Sequence, residues 1–481
     1  MNNIILDELE LNFNNIEEEV YGIVCEAGLS RIKLMLENVD NLILESRNTK
    51  RYRYKFKTEK TIQTIMGDLT FSRRYYIDKY NNRGVFLMDD ALNLNLVGRT
   101  SENLIEKMID TAVDSSYRKS AAKIEKSTLT KVSHQTIKNK ADYFGSAIEK
   151  IENNRVTKYL KGELRGKREV NVLFEEKDGV YLKIQGKKNK QELKVGKIYE
   201  GWVKKNDGYR TVGTRYFSGY EKGSNFDNLI NSHISEVYNQ DKIQYTILNG
   251  DGAPWISAET ENDIQKIYQL DLFHIFQKAN RKIKDEESRK TVKKLLKEKK
   301  YDEALEKIKE LINLETDKKA NDELKELYSY YKNNFNALAR YQDRDDITIP
   351  PPGGIEYRGL GTMESTIRNV VASRMKGNGT AWSIDGANHM SKILCLKHSD
   401  ELKGKLRTIL RNGRVIDFID INEIIKEQLK ESRKTINAEV KALIKGQKKA
   451  GKYNESMKSS IIYGQGKVTK TREILKSLSG I

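Results

Sequence analysis

From Trp255 to Ile349 the chain contains no glycine and no proline. No other feature constrains the fold as much, because so long a stretch without a backbone breaker favours helices. Between about Lys282 and Arg344 the apolar residues Val292, Leu295, Leu296, Ala304, Leu305, Ile308, Leu311, Ile312, Leu324 and Leu327 recur at helical spacing. This is an all-helical block. It closes at Ile349-Pro350-Pro351-Pro352-Gly353-Gly354, which holds three of the four prolines and cannot continue a helix.

The texture before the block is α/β. Val170–Phe174 reads as a strand leading into Glu175-Glu176-Lys177-Asp178-Gly179, with Val180–Ile184 returning as its hairpin partner. Lys197–Lys204 and Arg210–Phe217 supply more β structure, and Phe226–Tyr238 is an amphipathic helix. Ile243, Tyr245, Ile247 and Leu248 then form a β-prone run ending at Asn249-Gly250-Asp251-Gly252, so an acid sits where a buried strand opens into a turn. A helix is expected from Ile256 to Tyr268, and a short apolar segment, Leu270–Phe273, delivers Asp271 and His274. After the block, Gly359-Leu360-Gly361-Thr362-Met363-Glu364-Ser365 opens a helix reaching about Lys376, with Thr362 as N-cap and Arg368 and Arg374 alongside.

The N-terminal region is read as helical over residues 12–47, with Ile16, Val20, Ile23, Val24 and Ala27 on one face, serving as core or as a dimer face, and a break at Gly28. Arg51 to Lys57 alternates basic and aromatic residues, and a Gly67-Asp68 turn leads to Leu69–Ile77. This is a hairpin whose basic face either lies on phosphates or is merely solvated. Tyr117 to Tyr143 has the shape of a helix-turn-helix. Its second helix, His134 to Phe144, is capped by Ser133 and ended by Gly145, and offers Gln135, Lys138, Asn139 and Lys140 as types that reach base edges and phosphates.

Charge sharpens the partner. Lys+Arg 87 against Asp+Glu 69 leaves +18, a surplus suited to a polyanion, though a Lys-rich soluble protein would carry it too. The segment from Glu401 to Ile481 holds 19 basic and 9 acidic residues, so loosely packed, phosphate-binding helices are expected there. Its Gly464-Gln465-Gly466-Lys467 lacks the upstream glycine and the hydroxyl residue of a phosphate-binding loop. With only Cys25 and Cys395, a disulfide framework and a cysteine-based zinc site are excluded, and a reducing cytoplasm fits. No apolar run approaches the roughly 20 residues needed to cross a bilayer, and the acidic start, MNNIILDELEL, is not a signal peptide.

Three carboxylates stand out. Asp178 and Asp251 sit at the ends of expected strands and Glu364 on a later helix, at spacings of 251 − 178 = 73 and 364 − 251 = 113 residues. Hard divalent ions want oxygen ligands, and two of them roughly 3.5 to 4 Å apart can clamp both oxygens of an in-line phosphoryl displacement. A chain with 69 acids also offers such a trio by chance. Glu175 and Glu176 compete with Asp178 for the first place.

The run LNGDGAPWI, the DLFH that brings Asp271 twenty residues after Asp251 (271 − 251), the helical block and GLGTMESTIRNVVASRMKGNGTAWSIDGANHM together resemble the ISLre-type transposases of bacterial insertion sequences. These are similar in layout to the wider Mutator-like DDE group. The resemblance covers essentially the whole chain, RRYYID near residue 75 included, and is most specific around Glu364, Arg374 and Trp382. It implies an α/β ribonuclease-H-like catalytic core, a mixed sheet with flanking helices, interrupted by the all-helical insertion. A mostly helical N-terminal DNA-binding region would precede the core, and a basic helical tail would follow it.

The implied ligands of two Mg²⁺ or Mn²⁺ ions are Asp178, Asp251 and Glu364. Asp271 and His274 match the Cys/Asp-x-x-His signature of Mutator-like enzymes, with His274 near the scissile phosphate or holding the core. Arg368 and Arg374 are candidates for DNA contact or for pairing with the acid.

The expected domains are 1–100, 101–165 with the helix-turn-helix, 166–280 and 350–400 as the core, 281–349 as the insertion and 401–481 as the tail. The expected activity is hydrolysis of element ends and strand transfer into target DNA by a homodimer or larger assembly in the bacterial cytoplasm, associated with the nucleoid. The alternatives are a structure-selective nuclease or resolvase on the same fold, and a catalytically dead DNA-binding derivative.

Overall fold

The computed structural model describes residues 12–92, 94, 98–257, 266–345, 347, 349–377, 380–410 and 421–449. It divides into two compact units, one drawn from residues 1–99 and 413–481, the other from 100–412.

In the first unit the helix Phe13–Ser46, capped by Asn12, runs straight through Gly28. A break was expected there. Instead the missing side chain admits Met66, whose Sδ would lie 3.1 Å from a Cβ at that position. The Ile16, Val20, Ile23 and Val24 face is exposed, so it forms no core within the described residues. The hairpin is as expected: β1 (Tyr52–Thr64) pairs antiparallel with β2 (Gly67–Asp78), and β3 (Arg83–Val85) adds to β2. Two buried acids pin it, Asp40 to Arg74 at 2.6 Å and Asp89 to Lys60 at 3.0 Å. The tail helix Ile421–Lys449 belongs to this unit, whereas Leu402–Leu410 belongs to the second. Residues 464–467 lie outside the described residues.

The second unit begins with three helices, Glu102–Asp114, Tyr117–Ser127 and His134–Leu160, each started by a serine cap: Ser101, Ser116 and Ser133 accept from the backbone N–H three residues on. Gly145 does not end the third helix, which continues for four more turns. Its missing side chain lets the helix Ile384–His398 approach, since a Cβ there would stand 2.2 Å from His389 Cβ and 2.5 Å from its Cα.

The sheet that follows contains β4 (Val172–Leu182), β5 (Gln191–Tyr199), β8 (Arg215–Gly219), β9 (Tyr245–Gly250) and β10 (Lys266–Leu270), in the order β10-β9-β4-β5-β8. β4, β5 and β8 are antiparallel, while β9 and β10 run parallel to β4 and to each other. A separate hairpin, β6 (Gly201–Lys205) and β7 (Gly208–Val212), projects between β5 and β8. The sheet is covered by the helix Gly223–Val237 on one face and by Tyr341, Tyr357 and Leu360 on the other.

Two expectations are corrected. Residues 175–179 are not a turn: β4 passes straight through them, and its hairpin partner is β5 rather than Val180–Ile184. The strand tolerates four consecutive charged residues because each face neutralises its own. Glu175 lies 2.9 Å from Lys177 and 2.8 Å from Lys266, and Lys177 lies 2.7 Å from Asp227, all on the face opposite Glu176 and Asp178. The helix expected over 256–268 is also absent where described, since Pro254–Ser257 is a single turn and Lys266–Leu270 is β10, its residues bonded to β9. Residues 258–265 lie outside the described residues.

The helical block is present as Glu286–Lys297, Tyr301–Leu314, Lys318–Asn333 and Phe335–Leu338, packed on the helix Leu272–Lys282. Among the described residues no helix is long and apolar enough to cross a membrane.

Gly145 and Gly404 provide opposite tests. Gly145→Ala gains about 1 kcal/mol of helix propensity but forces two packed helices apart, so a net loss of about 1–3 kcal/mol is expected in urea unfolding. Gly404 has nothing within 4 Å of an added Cβ, so Gly404→Ala is expected to raise stability by about 0.4–1 kcal/mol.

Candidate active site

Strand pleating puts Glu176 and Asp178 on one face of β4, and the parallel neighbour β9 brings Asn249 level with Glu176. The chain leaves β9 through Asp251 and Gly252. Gly252 has φ +87°, and a Cβ there would lie 2.5 Å from Tyr330 Cε2, so the turn admits only glycine. Asp251 is half-buried. Its Oδ1 accepts from Ala253 N at 2.9 Å, and its carbonyl accepts from Tyr330 OH at 2.8 Å, which ties the helical insertion to this turn.

β10 then ends at Asp271, which caps the helix Leu272–Lys282: Oδ1 accepts from Phe273 N at 2.7 Å, while Oδ2 accepts from Asn249 Nδ2 at 2.8 Å. His274 therefore sits in the first turn of that helix. Its Nε2 lies 3.7 Å from Asp178 Oδ2. Burial alone would lower the imidazole pKa. The nearby carboxylate of Asp178, with the charges of Asp271 and Asp251, outweighs burial and raises it above 6.5.

Glu176 is the residue that sequence reasoning undervalued. It is fully buried, and its carboxylate accepts from Gly361 N at 3.0 Å, Thr362 N at 2.9 Å, Tyr199 OH at 2.9 Å and Asn249 Nδ2 at 3.4 Å, as well as from Thr362 Oγ1. Thr362 thus spends its hydroxyl on Glu176 and does not cap the following helix. Each candidate acid stands two residues beyond a member of this cluster: Asp178 after Glu176, Asp251 after Asn249, and Glu364 after Thr362. Glu175 and Glu176 are both fully buried and engaged, which leaves Asp178 as the accessible acid of β4.

Glu364 lies on the exposed side of Met363–Thr366, which continues as a π-helical segment over Ile367–Ala372. Such insertions recur at functional sites. The structure sets His274 against Asp178 within the field of Asp271 and Asp251, and brings the start of the Glu364 helix to Glu176. Among the described residues, however, no three His, Cys, Asp or Glu side chains stand close enough to cage a cation together. The donor chemistry still fits a hard divalent ion, since half-buried Asp178 and Asp251 and exposed Glu364 all offer carboxylate oxygens.

The residues expected on DNA divide. Gln135 and Asn139 are exposed and hydrogen-bonded to each other at 2.7 Å, Lys138 is 2.6 Å from Asp142, and Lys140 is half-buried. Arg368 is exposed. Arg374 is not: it is buried, donates from Nε to Ala112 O at 2.6 Å, and lies over the rings of Trp382 at 5.1 Å and Tyr117 at 5.5 Å. Its contacts are those of a structural pin, as its place between aromatic residues allows.

A profile of the uncharacterised protein family UPF0236 matches residues 6–411. The chain belongs to the UPF0236 family. One UPF0236 protein of Caldanaerobacter subterraneus subsp. tengcongensis is 25% identical over 99% of this chain and 94% of its own length, under a name that joins eleven numbered designations. Another from the same organism, whose name joins four, is 26% identical over 97% of this chain and 92% of its own. The "UPF0236 protein in vanSb 3'region" of Streptococcus gallolyticus is 23% identical over 84% of this chain and 90% of its own length.

In the metal-free protein, His274 is expected to titrate above 6.5, followed by its imidazole resonances in NMR, and Asp178→Asn should move it down. Because the folded value is raised, this pair stabilises the fold below the ordinary imidazole range and ceases to do so as pH climbs through the folded value. An unchanged titration in Asp178→Asn would mean that the two side chains do not interact.

Proposed function

We propose that this protein is a DNA transposase of the DDE type, with Asp178, Asp251 and Glu364 as the acids of a phosphoryl-transfer site on a ribonuclease-H-like core. The observation that carries the reading is the convergence of three distant segments on Glu176, which sets each acid two residues from one buried cluster. Strand order supports it too. Counted within the sheet, the first three strands are antiparallel and the fourth and fifth lie parallel to the first, on its other side, as expected for that core.

The relatives add independent support. A single protein name joining eleven numbered designations in one organism is what a gene that multiplies within a genome leaves behind, and an element encoding its own transposase does that.

In this reading Asp178 and Asp251 on the sheet, with Glu364 from the helix, would hold two divalent ions, which when bound clamp the attacking and leaving oxygens of an in-line displacement. The chain's own residues do the positioning. Glu176 fixes the first strand against the helix start. Asp271 orients Asn249 and begins the helix bearing His274. His274, with Nε2 turned toward Asp178, steadies that carboxylate and would stand beside the scissile phosphate. Water attacks first to free a 3′-hydroxyl, which then attacks target DNA, so one site serves both steps. The exposed turn at Gln135 and Asn139 would read the element ends, and a pair of ends calls for at least two protomers.

The test uses labelled duplexes carrying the DNA that brackets the gene, incubated with the full chain and Mg²⁺. Cleavage and joining are both expected. Asp178→Asn, Asp251→Asn and Glu364→Gln should each lose roughly a hundredfold or more of both, as fits a loss of several kcal/mol of charge stabilisation. Cleavage without joining would favour a nuclease, and joining retained in Asp251→Asn would defeat the proposal.

A further inference from the structure

A second concavity lies beside the helix that carries Glu364. This cleft of about 960 Å³ opens between β8, the β6–β7 hairpin and that helix, and none of Asp178, Asp251, His274 or Glu364 lines it. Thr362 connects the two places, since its hydroxyl donates to Glu176 and accepts from Lys197 Nζ at 3.0 Å, on the cleft side.

The cleft is backed by buried side-chain nitrogens without a hydrogen-bond partner among the described residues. Arg215 is 4% exposed and pairs through Nη1 with Glu401, but its Nε finds no hydrogen-bond partner among the described residues. His233 Nδ1 is buried in the same condition. Burial, with the charges of Arg215, Arg155 and Lys405, pushes its pKa well below the ordinary imidazole range. A buried N–H without a partner costs about 1–3 kcal/mol, so the hydrogen-bonding capacity of the Arg215 guanidinium is not fully used by the chain itself. Lys197, 3% exposed, adds a buried cation, and at the rim Tyr209 and Arg210 are exposed. Two acids, Asp400 and Glu401, also line the wall, and Arg215 neutralises the second.

Cations for phosphates and phenol rings for bases, with a lesser apolar share from Trp202, Val237 and Val370, describe a nucleotide site rather than a lipid or peptide site. The volume is that of a site for a drug-sized ligand, so it accepts a few unpaired nucleotides and not a duplex. We propose that the cleft binds a short unpaired DNA segment alongside the helix of Glu364, with phosphates at Lys197, Arg210 and Arg215 and bases against Tyr209 and Tyr216. This rests on the transposase reading for its choice of DNA. Cutting and joining leave strand ends that must be kept apart from their complements, and a cleft one helix away from the acids serves that need.

The experiment measures anisotropy of a short fluorescein-labelled oligothymidylate with the full chain, without divalent metal so that no cutting intervenes. Duplex of the same length and thymidine monophosphate serve as competitors. The oligonucleotide should compete far better than either, and Tyr209→Ala with Arg210→Ala, both at the exposed rim, should weaken binding about tenfold or more and lower the salt slope by about one. Equal binding by wild type and the double variant would overturn the proposal, as would monophosphate competing as well as the strand. The two readings fail separately. Joining retained in Asp251→Asn, with strand binding lost in the double variant, removes the catalytic reading and leaves the cleft standing; the reverse pair of results removes the cleft alone.

Discussion

One buried carboxylate organises the candidate site. Glu176 is withdrawn from water, a position that costs several kcal/mol unless every lone pair is used, and it is answered by two backbone N–H groups, two hydroxyls and an amide. Those donors come from β5, β9 and the segment before the Glu364 helix. Satisfying Glu176 therefore closes a chain excursion of 362 − 176 = 186 residues and sets the separations among the acids. Around it the contacts pass from Asn249 to Asp271 and to Gln269, and from Gln269 to Tyr341 N, so that the strand ends and the return from the helical insertion form one hydrogen-bonded layer.

The opposite face of β4 is equally charged and has a different task. Lys266, Glu175, Lys177 and Asp227 form a chain of ion pairs under the helix Gly223–Val237. This is why the strand was illegible. Glu-Glu-Lys-Asp-Gly in a sequence looks like solvated turn material, and nothing local reveals that Asp227 and Lys266 will arrive to neutralise it. Asp251 was legible because an apolar run ending in Asn-Gly-Asp-Gly is a local signal. The helical block was legible because its periodicity is local too. Glu176 could have been suspected only from its place two residues before Asp178, on the same face of a strand. Arg374 misled because an exposed DNA-binding arginine and a buried one stacked between Tyr117 and Trp382 look alike in one dimension.

If the proposed function holds, the helix His134–Leu160 would link recognition to chemistry. Its first turns present Gln135 and Asn139, while its later turns are fastened to the sheet-bearing part: Lys392 to Glu152 at 2.7 Å, Asn388 to Glu149 at 2.9 Å and Arg155 to Ser232 at 3.1 Å. A continuous helix with buried pairs at its far end transmits position rigidly. Under the proposed function, the distance from recognised bases to the scissile phosphate is thereby fixed by the helix itself, and Gly145 matters because it permits that docking.

If three acids distant in sequence hold common cations, as the proposed function requires, local iron chemistry will reveal it. Ferrous ion substituted for magnesium, with ascorbate and peroxide, breaks the polypeptide near wherever it is held. Cuts are expected close to residues 178, 251 and 364, all suppressed together by excess magnesium. Cuts near 178 and 251 with none near 364, or a pattern indifferent to magnesium, would contradict it.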